Sequence, residues 1–147
     1  MEYSLSDRSE ESAVLKEYYD TNDVFNMENG MHMVSCEPGK AVFEVELTQK
    51  HLSLVGRPHA HAGVLYSLAE SASGAAVLSY GYNCFAVEGN ISYISAVTEG
   101  VIRAEAKCKD NHETETGQIR VRIFDSSDNL IAKGSFIVAY TGEKFEC

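Results

Sequence analysis

The sequence predicts an α+β fold in which an antiparallel sheet of about six strands wraps one long helix, with a short helix at the N-terminus. Two features carry that expectation. From Met31 onward, apolar residues recur with period two in segment after segment. Residues 62–80 break the alternation once with a helical run, so the strands cluster instead of alternating with helices. The 147 residues suffice for one core and are few for two, and 1–147 reads as one domain.

Within 1–25, Val14, Leu15, Tyr18 and Tyr19 fall at helical spacing behind Asp7, Glu10 and Glu11. Ser6 or Asp7 is the expected cap, and Asp20-Thr21-Asn22-Asp23 ends the helix. Met31, Met33 and Ser35 then alternate with His32, Val34 and Cys36. Glu37-Pro38-Gly39-Lys40 supplies turn chemistry before Phe43, Val45 and Leu47 resume the alternation, which makes a hairpin. After the long helix, strands are expected near 85–96, 100–109, 117–125 and 130–140, parted by polar turn segments. In the last of these, Ala132, Gly134, Phe136 and Val138 share a face.

Twenty-two acidic against twelve basic side chains give a net charge of −10, which opposes binding to nucleic acid or an anionic bilayer. The densest basic run, Arg103, Lys107 and Lys109, is diluted by Glu105 and Asp110 and reads as a solvated strand face. No apolar run approaches the roughly 18 residues of a membrane-spanning helix. Residues 1–8 lack the basic-then-apolar order of a signal peptide, so the expected location is the cytoplasm, with no membrane partner. The four cysteines, Cys36, Cys84, Cys108 and Cys147, form no Cys-x-x-Cys pair and read as packing or idle thiols.

The stretch 62–80 is apolar or small nearly all the way round, as in an enclosed helix, and Glu70 is its only charged residue. A carboxylate in that setting is costly unless it is paired, hydrogen-bonded or protonated. At about 100° per residue, Gly63, Ser67, Glu70 and Gly74 form one stripe of small or polar positions open to close approach. Two readings stand: Glu70 anchors a hydrogen-bond network or a wet subunit interface, or it is a catalytic acid or base with its pKa raised by burial.

Residues 51–63 gather His51, His59 and His61 just before that helix, whose unpaired N–H groups attract negative charge, a tetrahedral oxyanion included. His59 and His61 make a His-x-His pair without a third ligand at sensible spacing, so hydrogen-bonding histidines are expected there instead of a metal site. Gly-x-Ser-x-Gly, Gly-x-Gly-x-x-Gly and the Walker pattern are absent, which leaves a carboxylate to carry any chemistry.

The run His61-Ala62-Gly63-Val64-Leu65-Tyr66-Ser67-Leu68-Ala69-Glu70, followed by Asn90-Ile91-Ser92-Tyr93-Ile94, Gly100 and Leu130-Ile131-Ala132-Lys133-Gly134, resembles the hotdog-fold acyl-CoA thioesterases, and among them the phenylacetate-pathway type. The resemblance spans about 31–140 and implies a dimer or tetramer with active sites between protomers, and an acyl-CoA substrate without metal or redox cofactor. Carried over, it makes Glu70 the base or nucleophile, the Ala62 N–H the oxyanion donor and His61 the residue that shapes the loop. Gly63, Ser67 and Gly74 would line the approach. His61 and Glu70, nine apart, lie about 180° round a helix and do not easily converge within one chain; the resemblance implies that Glu70 of one chain faces the loop and the Ala62 N–H of its partner. The sequence departs from the family at three places: Val55 stands where an amide is usual, with Ser53 and His59 as stand-ins near the substrate, Ala62 replaces the first Gly of His-Gly-Gly, and Ala86 stands where a Ser or Thr is usual four residues before Asn90-Ile91. The expected function is hydrolysis of a small or medium acyl-CoA, with a non-hydrolytic acyl-CoA-binding protein as the alternative.

Overall fold

The computed structural model describes residues 5–147, with side chains from Glu10 onward. Helices α1 (Leu5–Asn22) and α2 (Val24–Asn29) precede a hairpin of β1 (Met31–Glu37) and β2 (Lys40–Glu46). A 3-10 turn over Gln49–His51 leads into a second, smaller hairpin, β3 (Leu52–Leu54) and β4 (Arg57–Ala60), and then into α3 (Ala62–Leu78). Four strands follow: β5 (Tyr82–Tyr93), β6 (Val101–Cys108), β7 (Thr116–Phe124) and β8 (Leu130–Lys144). Six of the strands form one antiparallel sheet in the order β1-β2-β6-β7-β8-β5, and α3 packs across one face of it. This is the expected α+β arrangement.

Strict alternation builds the inner face. Ile102, Ala104 and Ala106 of β6 and Ile119, Val121 and Ile123 of β7 are buried, while their neighbours point outward. They meet Leu68, Ala69, Ala72 and Ala76 of α3, all buried, and the alanines on both elements let helix and sheet approach closely. Each fully buried large side chain, such as Phe43, Leu68 or Phe136, contributes about 1.5–3 kcal/mol through removal from water. The β1–β2 turn is Pro38-Gly39, with Gly39 at φ +77°, the proline-then-left-handed-glycine pairing of a type II turn. Glycine is required there twice over, because a Cβ would lie 2.6 Å from the Cys108 carbonyl oxygen.

Several expectations are corrected. In α1, Leu15 and Tyr19 face the core but Val14 and Tyr18 are exposed, and Ser6 and Asp7 lie within the helix instead of capping it. Val14 and Tyr18 lie off the stripe that meets β1, so only half of the apolar cluster is buried. In β1, unbroken alternation would set Ser35 on the same face as Met31 and Met33. The pairing slips between Met33 and Ser35, and this bulge turns Ser35 out and Cys36 in. Helix α2 and the β3–β4 hairpin were not anticipated, since six-, three- and four-residue elements are too short to show a period. Strand β5 begins and ends three residues earlier than expected, and β8 runs on to Lys144.

Candidate active site

Two hairpins and a cap fix the start of α3. His51, expected in a surface or loop role, is buried: its Nδ1 accepts the Thr48 N–H at 2.9 Å, and its Nε2 lies 2.6 Å from the Asn29 carbonyl oxygen. With Nδ1 accepting, Nε2 carries the proton and donates to Asn29, which ties the end of α2 to the turn before β3. The His51 carbonyl in turn accepts the His61 N–H at 2.9 Å, and the Ala60 N–H donates to Val97 at 2.8 Å. The stretch 51–63, expected as a loop, therefore contains a braced hairpin, β3–β4, that delivers His61 to the helix.

His61 is the N-cap of α3, and its Nδ1 accepts the Gly63 N–H at 2.9 Å. Ser67 donates back to the Gly63 carbonyl at 2.7 Å, and the Tyr93 hydroxyl donates to the Ala62 carbonyl at 3.1 Å. The Ala62 N–H has no hydrogen-bond partner among the described residues and sits on an exposed residue at the positive end of a 17-residue helix. It is a free donor at the helix tip.

The sequence treats α3 as enclosed on all sides; the protomer does not enclose it. Glu70 is exposed, and Gly63, Ser67 and Gly74 are half-buried on the same stripe, because the sheet covers only the opposite face. The Glu70 carboxyl opens onto a cavity of about 140 Å³. Tyr19 of α1, Gly74 of α3, Cys84 and Phe85 of β5, and Phe136 and Val138 of β8 line its apolar walls. Desolvation by those surroundings, and then the nearby charge of Asp23, raise the Glu70 pKa above the ordinary carboxylate range. The same setting pushes the Cys84 thiol up to about 11, first by burial and then by Glu70, so the sulfur beside the cavity is a neutral thiol and not a nucleophilic thiolate.

Glu70 and Ala62 of one chain do not meet, since eight residues of helix separate them by about 12 Å along the axis. Ser53 and His59, both half-buried, sit on β3 and β4 near His61 and away from the Glu70 cavity. Val55 projects into solvent at the β3–β4 tip, beside Gly56. Among the described residues no cluster of three or more His, Cys, Asp or Glu could hold a metal ion. The sequence pointed to Glu70 and the small-residue stripe but not to Tyr19, Cys84, Phe136 or Val138, which join the cavity only through tertiary packing.

A family model described as the thioesterase superfamily matches residues 58–132. The "Putative esterase" of Archaeoglobus fulgidus is 28% identical over 143 residues, covering 97% of this chain and 91% of its own. Among solved structures, the E. coli PaaI protein from the phenylacetic acid degradation operon superposes with a TM-score of 0.83, at 24% identity, covering 97% of this chain and 100% of its own. A Streptococcus mutans protein solved with acetyl CoA bound superposes with a TM-score of 0.71, at 23% identity, covering 78% of this chain and 91% of its own. The hotdog fold expected from the sequence is thus the fold observed. With the family match extending over more than half its length, from the β3–β4 hairpin through α3 to the start of β8, the chain belongs to the thioesterase superfamily.

Proposed function

We propose that the protein hydrolyses the thioester of a small or medium acyl-CoA at a site shared by two protomers. The observation that carries this reading is Glu70, an acid of raised pKa on the uncovered stripe of α3, at the mouth of a 140 Å³ apolar cavity. A cavity of that size holds about one benzene-sized group, which suits a compact acyl chain. The S. mutans relative solved with acetyl CoA supports a CoA thioester as the substrate class.

In this reading a partner's α3 covers the stripe, and the partner's Ala62 N–H faces Glu70. The edge strand β5, with Phe85 and Val87 exposed, extends the apolar surface that a second protomer would cover. The carboxylate of Glu70 takes a proton from water as the water oxygen bonds to the thioester carbon. The carbonyl oxygen becomes an oxyanion that accepts the Ala62 N–H. Its collapse breaks the C–S bond, and the CoA sulfur leaves with the proton returned by Glu70. His61 keeps the helix tip in shape by engaging Gly63, which leaves the Ala62 N–H free.

The test is a panel of acyl-CoA esters assayed for free thiol with the parent protein and with Glu70→Gln, which keeps the size and removes the charge. The expected loss is about 100-fold or more, as for removal of a general base. Equal rates would reject the mechanism. A strict monomer in sizing chromatography would also reject it, because the two halves of the site could not meet. The second reading, acyl-CoA binding without hydrolysis, is favoured by the apolar Val55 at the hairpin tip, where a water-positioning amide is absent. CoA binding without turnover in either protein would select it.

A further inference from the structure

The outer face of the sheet, away from α3, carries a charge pattern that hydrolysis on the helix side does not use. Along the chain the densest basic run lies on β6 alone, on an exposed strand face as expected, whereas register sets cations of four strands side by side. Lys40 pairs with Lys107, Lys107 with Arg120, and Arg122 with Lys133. Cross-strand neighbours lie about 5 Å apart and outward residues along a strand about 7 Å apart. Like charges placed directly opposite destabilise a sheet, and here three such pairs are contiguous.

One carboxylate lies within the cluster: Glu105 stands opposite Arg122 in the register, but it is bonded to Arg103 at 3.2 Å, and Arg103 also binds Asp128 at 2.9 Å, so a single acid faces several cations. Lys107, Arg120, Arg122 and Lys133 are exposed and form no ion pair among the described residues. Solubility does not explain the pattern, since a chain of net charge −10 is already well charged. Protection of a sheet edge does not either, because β6, β7 and β8 are interior strands. The same four cations line an open concavity of about 970 Å³ together with Lys109, the Arg103-bound Glu105 and neutral polar groups such as Gln118 and Ser135.

We propose that this outer face is a binding site for a small anion bearing two or more phosphoryl groups, gripped by Lys107, Arg120, Arg122 and Lys133. Two arginines with fork geometry and two lysines as point charges are the donors that phosphoryl oxygens select. The patch covers two rows of residues on an otherwise acidic molecule, which favours a compact anion over an extended polyanion. It is separate from the Glu70 site, because the sheet lies between them. On β8 the two nevertheless touch: Ser135 faces the concavity and the adjacent Phe136 lines the cavity by Glu70.

The experiment is calorimetric titration of the full-length protein with inorganic tripolyphosphate and, separately, with ATP. Saturable binding at low salt is expected, weakened about tenfold or more in Arg120→Gln/Arg122→Gln and unchanged in Lys16→Gln/Lys50→Gln, whose lysines lie elsewhere. Equal affinity for both ligands would identify the phosphoryl chain as the recognised group, and tighter binding of ATP would identify a nucleoside polyphosphate; either supports the site. The arginine variant should unfold at the same temperature as the parent or higher, since repulsion is relieved. No saturable binding, or equal affinity in the arginine variant, would overturn the proposal. So would an arginine variant whose KM for acyl-CoA rises in step with its loss of tripolyphosphate, because the patch would then belong to the substrate.

Discussion

His61 caps α3 with its own ring, and Gly63 is the residue that lets it do so: Nδ1 lies 2.9 Å from the Gly63 nitrogen, and a Cβ on residue 63 would stand 2.9 Å from the same ring atom. Removing the ring in His61→Ala leaves the Gly63 N–H unsatisfied, and caps of this kind are worth about 0.5–2 kcal/mol. The expected result is a lower unfolding midpoint in urea for His61→Ala, with much of the loss recovered in His61→Asn, whose side-chain oxygen can accept the same N–H. Gly63→Ala should fall below the parent as well, because its methyl group displaces the ring.

The raised pKa of Glu70 makes a signed prediction about pH. An acid whose folded pKa lies above its unfolded value holds more protons in the folded state, so stability is greatest below the unfolded value and falls as pH rises through the folded one. Comparing unfolding midpoints of the parent and Glu70→Gln between pH 4 and pH 8, roughly the span in which a raised carboxylate titrates, should show the parent losing ground to the variant as pH increases. Hydrolysis should move the opposite way, rising with pH as Glu70 ionises, with its acidic limb above the ordinary carboxylate range. A variant that lost ground to the parent with rising pH would show that Glu70 ionises more readily in the fold than in the open chain.

What the sequence disclosed and what it withheld divide along physical lines. Glu70, Ser67 and Gly74 were legible because a helix converts spacing into a stripe without help from the rest of the molecule. Gly39 was legible because Pro-Gly carries its own turn chemistry. The inward turn of Cys36 was not legible because a single bulge reverses the phase of every residue after it, and nothing in Val34 or Ser35 announces one. The cationic face was hidden for a related reason: Lys107, Arg120 and Lys133 are far apart in the chain, and only strand order and register make them neighbours. The openness of α3 also escaped, because an apolar helix looks the same whether its last face is covered by its own sheet or left for another chain.

Helix α1 meets the core through Leu15, which is buried, and Tyr19, which packs edge to face on Phe43 at a centroid distance of 5.4 Å. Phe43 is fully buried on β2, and truncating such a ring costs about 3–5 kcal/mol. Phe43→Ala should therefore lower the urea midpoint strongly. Tyr19→Ala should give a smaller loss together with easier proteolysis within α1, since its ring is only half-buried. Unchanged proteolysis within α1 in Tyr19→Ala would mean that the helix is anchored by contacts other than this pair.

Gly74 offers the sharpest test of the cavity as the seat of the acyl group. It lies one turn beyond Glu70, and a Cβ there would meet only the Tyr19 hydroxyl, at 3.4 Å, an ordinary contact. Gly74→Ala should fold normally, helped by the better helix propensity of alanine, worth about 1 kcal/mol over glycine. A leucine at the same position projects into the 140 Å³ space that Phe136 and Val138 close from the other side. Gly74→Leu is therefore expected to raise KM for medium-chain acyl-CoA esters at least tenfold over the rise for acetyl-CoA, with kcat for acetyl-CoA within a fewfold of the parent. A uniform rise across chain lengths would place the acyl group elsewhere and leave the cavity as packing space alone.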